Sequence, residues 1–293
     1  MKKNFRFPIA GCILILLSAF CAFLGIKMAF MNTGIIAEIE KNMIILDKPV
    51  VLAENEGKLV LIRGKAVQDT EYVTDEIFGV MAKSPKLYRR VEMLQWEKDT
   101  QNDETIYVKK WAVNLLPQTS SLNSTYKNPD KMPYETKTTT ARVMLGEFVV
   151  PDLAISNLLA TEDNFEINAE IAKQLGLFLY DSIEGPCLQS DYTIVQNVGD
   201  LRIYFTYADP AQLENVTILA MQSGNELTEY VGAKGAKINE FWTKHIADDE
   251  VIRHYKGNLA LGYILFFVIF IILAVSGIFM IRRRIVEYKK DSV

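Results

Sequence analysis

Histidine is nearly absent from this chain: His245 and His254 are the only two in 293 residues, and cysteine occurs three times. That scarcity excludes whole classes of chemistry. Neither histidine sits in an H-E-x-x-H pattern and no cysteine pair has metal-binding spacing, so no metal or other cofactor is expected. No G-x-S-x-G elbow, phosphate loop or dinucleotide fingerprint appears, and Gly232, Gly235 and their neighbours are too sparse to form one. Cys12 and Cys21 lie inside an apolar run, which leaves Cys187 alone in the polar middle, so no disulfide can form within it and Cys187 either sits in a loop or core or pairs between chains. That middle must therefore rest on a hydrophobic core, and it is long enough to build one. Acidic residues are plentiful, but nothing in the sequence sets two together, so no catalytic residue is assigned and no enzyme is expected. Asn123-Ser-Thr and Asn215-Val-Thr match the N-glycosylation pattern, which has meaning only in a eukaryotic lumen.

What the chain does have is two long runs without charge. Leu259 to Ile281 is apolar all round, and as a helix it would be roughly 35 Å long, enough for a hydrocarbon core of about 30 Å. Arg282, Arg283 and Arg284 end it. Ile9 to Ile26 follows Lys2, Lys3 and Arg6, a layout that fits either a retained anchor or a cleaved signal peptide. The length of the run and the lack of a small-residue cleavage site favour the anchor, since Phe20 and Phe23 stand where small residues would be needed. Lys27 can snorkel to the interface, and the residues before Cys21 make a poor lipidation box.

Basic residues flank both runs at the chain ends, which by the positive-inside rule makes both termini cytoplasmic and the middle extracytoplasmic or lumenal. Of the 32 Lys and Arg, nine lie in or beyond the two runs, and of the 36 Asp and Glu two do, leaving 23 basic and 34 acidic residues between them. Such a segment is a poor partner for nucleic acid or an anionic membrane surface. The expected layout is a cytoplasmic 1–8, a transmembrane helix over 9–31, a domain over 32–258, a second transmembrane helix over 259–281 and a basic tail over 282–293.

In the middle, Ile35, Ile36, Ile39 and Met43 keep helical spacing, so the first helix should leave the membrane and pack on the domain until Pro49. Strand-like patterning then takes over. KLVLIRGKAV after Gly57 reads as a strand. LYRRVEMLQWEKD and TIYVKKWAVNLL read as a hairpin about an Asp99–Glu104 loop. Leu87, Val91 and Met93 share one face; Tyr88, Arg90, Glu92, Leu94 and Trp96 share the other. That second face is either a solvated or half-covered sheet surface or a recognition surface anchored on Trp96 and Trp111. Residues 117–140 read as a long polar loop, either a surface excursion or a binding loop. ARVMLGEFVV reads as strand, with short helices after Pro151 and over 168–175. YTIVQNV, LRIYFTYA, NVTILAMQS and LTEYVG read as strands, and His245–Tyr255 as a helix leading into the last span. The fold class is α+β: a β-rich extracytoplasmic domain with a few short helices between two transmembrane helices.

Several strings in this order carry a family resemblance. Glu54–Val60, Phe78-Gly-Val80, Lys86–Trp96, Lys127-Asn-Pro129 and Val198–Ala208 resemble the transmembrane protein 43 family, over about residues 45–235. The resemblance implies a multi-pass protein with a large lumenal domain after its first span. It also implies a scaffold of the endoplasmic reticulum and inner nuclear membrane that associates with itself, emerin, lamins and nuclear-envelope linkers. It supplies no catalytic residue. The animal proteins have several helices after the domain, whereas this sequence stops after one, and its short basic ends look bacterial, so nuclear partners are not carried over.

The expected function is a non-enzymatic membrane scaffold or assembly factor that binds protein partners or itself, with membrane lipid around its helices. Its partner-binding residues would be Arg89, Arg90, Glu92 and Trp96. The membrane would be the plasma membrane of a bacterium, or the endoplasmic reticulum and nuclear envelope of a eukaryote. Two other readings stay open: an envelope hydrolase built from dispersed Asp, Glu and Tyr residues, and a signalling protein working through the Arg282–Lys290 tail.

Overall fold

The computed structural model describes residues 8–101, 103–118, 124–162, 169–182, 185–189, 197–232, 235 and 237–290. Its frame is an antiparallel pair of long helices, α1 (Ile9–Asn42) and, at the other end of the chain, α4 (Asp248–Lys290). Both are long and apolar enough to cross a membrane. Phe20, Phe23, Ile264, Phe267 and Ile271 are exposed along them, so these are not the core helices of a soluble fold but surfaces suited to lipid. At one crossing both helices lack a side chain. A Cβ on Gly11 would lie 2.9 Å from the Gly277 carbonyl oxygen, and one on Gly277 would lie 2.9 Å from that of Gly11. Small residues at a crossing let two membrane helices gain dispersion contacts that lipid alone does not replace.

At 34 and 43 residues, the helices run roughly 51 and 65 Å, well past a hydrocarbon core of about 30 Å. The surplus is packed. Ile39 of α1 and Val251 of α4 are buried with Leu59, Leu61, Leu219, Ile238 and Ile246, and Ile35, Met43, Ile252 and Tyr255 close the cluster. The extension of α1 into the domain therefore matches the expectation, although it stops at Asn42, before Pro49. Ile44 and Ile45 instead form a short strand, as suits two β-branched residues beside an open sheet edge. α4 starts at Asp248, later than expected, with Asp248, Asp249 and Glu250 in a first turn whose free N–H groups favour negative charge.

The sheet beneath the helices contains β1 (Ile44–Ile45), β2 (Leu59–Gly64), β3 (Val67–Gln68), β9 (Val143–Leu145), β10 (Phe148–Val149), β15 (Val216–Ser223), β16 (Glu226–Thr228) and β19 (Glu240–Trp242). Its order is β1-β2-β15-β16-β10-β9-β3, with β19 on a further stretch of β15. Val60, Ile62, Ile218 and Ala220 point away from the helices into a core with Leu145, Phe148, Val150, Ile155 and Leu213. Helix α2 (Asp152–Ser156), started by Pro151, lies on that side.

A second sheet has the order β12-β13-β14-β6-β7, from Phe178–Ser182, Gly185–Gln189, Leu201–Ala208, Lys86–Gln101 and Glu104–Ala112. β11 (Ala160–Glu162) adds to β14 and β8 (Lys137–Thr140) adds to β6. Its core holds Phe78, Leu87, Val91, Met93, Leu188, Leu201, Ile203 and Phe205, with Ala172 of helix α3 (Ala169–Gln174). Two small ribbons accompany the sheets: β4 (Val73–Thr74) with β5 (Met81–Ala82), and β17 (Tyr230–Val231) with β18 (Lys237–Ile238). Ser84 ties the neighbouring ends of β6 and β14 together within the second sheet, its Oγ accepting from the Lys86 and Ala208 amides at 3.1 Å. The buried Lys86 ammonium donates to the Leu158 carbonyl at 2.7 Å, and burial lowers the pKa of that amine.

Three expectations change. The β6–β7 hairpin is longer than expected, because Gln101 pairs with Glu104 and the polar stretch from Asp99 lies within the ladder. The last four residues of the polar 117–140 segment are strand β8. The β12–β13 hairpin had no counterpart in the sequence reading, because Gly185-Pro186 at its turn reads as a break. Most of the expected YTIVQNV strand lies outside the described residues.

Candidate partner-binding face

The β6 string from Arg89 to Trp96 alternates across the sheet, and the structure separates its charged residues accordingly. Arg89 lies on the core side with Leu87, Val91 and Met93 and is 2% exposed. Its Nη1 donates to Asp75 Oδ2 at 2.5 Å and its Nε to the Glu135 carbonyl at 3.1 Å, and the guanidinium stands over the Phe78 ring at 5.3 Å. Asp75 is equally buried, and its Oδ1 accepts from the Ile77 and Phe78 amides. A left-handed Gly79 completes this turn; a Cβ there would lie 2.4 Å from Ile171. Arg89 thus organises the 75–80 turn, and the structure sets it apart from the other three candidates.

Those three do share a face. Arg90 Nη2 donates to Glu92 Oε1 at 2.6 Å, with Arg90 half-exposed and Glu92 nearly covered. The register places Tyr204 and Arg202 of β14 opposite Arg90 and Glu92, and Trp111 and Lys109 of β7 opposite Leu94 and Trp96. The Arg202 guanidinium stands 4.0 Å from the Trp111 ring centroid, and Lys109 Nζ is 5.6 Å from that of Trp96. Tyr126 packs edge-on against Trp96 at 5.0 Å and stacks on Tyr107 at 4.2 Å. The result is a half-covered face of aromatic rings, two arginines and a lysine; aromatic residues and arginine are enriched where proteins bind one another, and lysine is depleted there.

Amide side chains hold this face in place. Leu94 still pairs with the backbone of Gly199 and Asp200, but at Trp96 the strand partner is a side chain. Asn128 Oδ1 accepts from the Trp96 N–H at 2.6 Å, and Nδ2 donates to its C=O at 2.9 Å. Gln118 grips the Asn128 backbone in the same two-point way, at 3.1 and 2.9 Å. The buried Gln95 amide holds Asn114 and Leu116. The segment after β7 is therefore tied down on both sides of residues 119–123, and it delivers Tyr126 to the face. Sequence reading found Arg90, Glu92 and Trp96 through alternation. It missed Tyr126, Arg202 and Tyr204, which reach the face only through tertiary pairing.

Among the described residues no three His, Cys, Asp or Glu side chains cluster as metal ligands. A cavity of about 440 Å³ beside α2 is lined by one carboxylate, Glu240, which accepts from the Tyr255 hydroxyl at 3.0 Å. Burial first, then the Glu240 charge, pushes the Tyr255 pKa well above the ordinary tyrosine range.

Four of the five strings that carried the resemblance build this face and its supports: Phe78 under Arg89, Lys86–Trp96 in β6, Asn128 as the clamp, and Val198–Ala208 leading through β14; Glu54–Val60 instead leads into β2 of the other sheet. The transmembrane protein 43 family model matches residues 91–288. Transmembrane protein 43 of Pongo abelii is 32% identical over 215 residues, covering 63% of this chain and 50% of the relative. That of Mus musculus is 30% identical over 233 residues, 69% and 55% respectively, and that of Rattus norvegicus 28% over 274, 83% and 65%. The chain spans about half the length of the first two. No solved structure matches. The α+β fold, the two apolar helices and these matches agree: the chain is a membrane protein and belongs to the transmembrane protein 43 family.

Proposed function

We propose that this protein is a non-enzymatic membrane-anchored scaffold, with both termini cytoplasmic and the β domain on the opposite side, binding protein partners through the face around Arg90, Glu92 and Trp96. The observation that carries this reading is the placement of Trp96, Trp111, Tyr107 and Tyr126 with Arg90, Arg202 and Lys109 on the side of the second sheet turned away from its core. Partly desolvated aromatic and arginine side chains are the residues most often found at binding hot spots. The burial of Ile39 by the domain supports retention of the first helix as an anchor, and the basic flanks support the orientation.

The test is in-cell photo-crosslinking from Lys109, comparing wild type with an Arg90→Ala, Glu92→Ala, Trp96→Ala variant. Arg89 is left intact because its buried ion pair supports the fold. The variant should lose at least ten-fold of the captured partner while keeping its far-UV circular dichroism. Undiminished capture by the folded variant would remove this face from consideration.

A further inference from the structure

The cavity beside α2 belongs to neither the proposed face nor the helix pair, and its two walls differ in chemistry. One wall is the outer edge of β19. Leu46 N–H bonds to the Leu61 carbonyl from the β1 side, so Leu61 faces β1 and its neighbour Ile62 faces β15. Ile62 is opposite Ile218, so the intervening Thr217 and Leu219 face β19, and their partners Trp242 and Glu240 face back. Phe241, which lines the cavity, therefore turns its N–H and C=O away from β15, and among the described residues no hydrogen bond reaches them.

The other wall is apolar and prominent. Leu153 and Leu159 flank the cavity at 68% and 78% exposure. Leu159 is held there, because its N–H donates to Gln212 Oε1 at 3.0 Å and its C=O accepts from Gln212 Nε2 at 2.7 Å. Two exposed leucines, one of them held by Gln212, beside an unpaired strand edge leave both apolar surface and backbone polarity unsatisfied.

We propose that this groove receives an extended, uncharged peptide segment of a partner protein, added as a strand to β19 with alternate apolar side chains against Leu153, Leu159 and Phe241. An extended backbone supplies a donor and an acceptor at the spacing Phe241 requires, and its side-chain alternation reaches the leucines from one face. An acyl chain would satisfy the leucines and leave the strand edge unpaired. The site is tied to the membrane helices, because Trp242 and Glu240 on the same strand contact His254 and Tyr255 of α4.

The test uses the full chain in nanodiscs and a capped hexapeptide of alternating valine and threonine, with two derivatives N-methylated at every valine or at every threonine. Amide exchange at Phe241 should slow about ten-fold on binding of the parent peptide. Exactly one derivative should lose that protection, because each blocks the donors of one strand edge. Leu159→Asp, a change at an exposed side chain, should abolish binding with the unfolding midpoint unchanged. Absence of binding at millimolar peptide, equal binding of all three peptides, persistence of binding in Leu159→Asp, or protection of Phe241 by a second copy alone would each overturn the proposal.

Discussion

Arg89 and Arg90 are neighbours in sequence and opposites in role. Arg89 and Asp75 form a buried pair with a ring beneath it, and removing one partner leaves an uncompensated charge inside the sheet. Asp75→Ala should therefore destabilise the domain by about 3–5 kcal/mol, and adding Arg89→Met should recover much of that, as chemical unfolding in detergent would show. Strand alternation already placed Arg89 with Leu87, Val91 and Met93, yet four charged or aromatic residues in one string read as one surface. Asp75 lies in a separate turn, and no local pattern names it as the partner. Tyr255 gives a second expectation at this scale. Its folded pKa is raised, so its contribution is complete below about pH 10, the unfolded tyrosine value, and is lost as pH rises beyond it. Between pH 8 and 10.5 the wild type should lose more of its unfolding midpoint than Tyr255→Phe.

At the scale of elements, period-two patterning made the β6–β7 hairpin and β14 legible, and apolar length did the same for α1 and α4. The remainder escaped for identifiable reasons. Strands that project into solvent, such as Asp99–Gln101, have no apolar face to announce them. β8 is four residues of Lys and Thr, paired only because β6 offers an open edge. The clamp at Trp96 is an asparagine acting as a strand partner, and Asn128→Ala should cost about 1–3 kcal/mol and speed exchange of the Trp96 amide with the hairpin intact. The Gly11–Gly277 crossing was also beyond reach, since small residues in an apolar run do not say which of them meet. Gly277→Leu should force the helices apart there and lower the thermal midpoint in nanodiscs by several degrees, whereas Gly262→Leu, with nothing within 4 Å, should be silent.

For the molecule as a whole, the proposed orientation has a direct consequence for labelling. On a Cys187→Ser background, a Lys131→Cys variant should react with a membrane-impermeant maleimide added outside intact cells or vesicles, and Arg284→Cys only after permeabilisation; the reverse pattern would invert the topology. The helix pair also fixes how the domain is carried. α1 reaches Asn42 without a break and α4 runs unbroken from Asp248, while Arg63 holds the Ile246 carbonyl and pairs with Asp248 at the junction. A bilayer that thins or thickens is accommodated by a change in helix tilt. Because neither helix is broken between span and sheet, the domain leans by the same angle as the helices, and its height above the surface changes with that tilt.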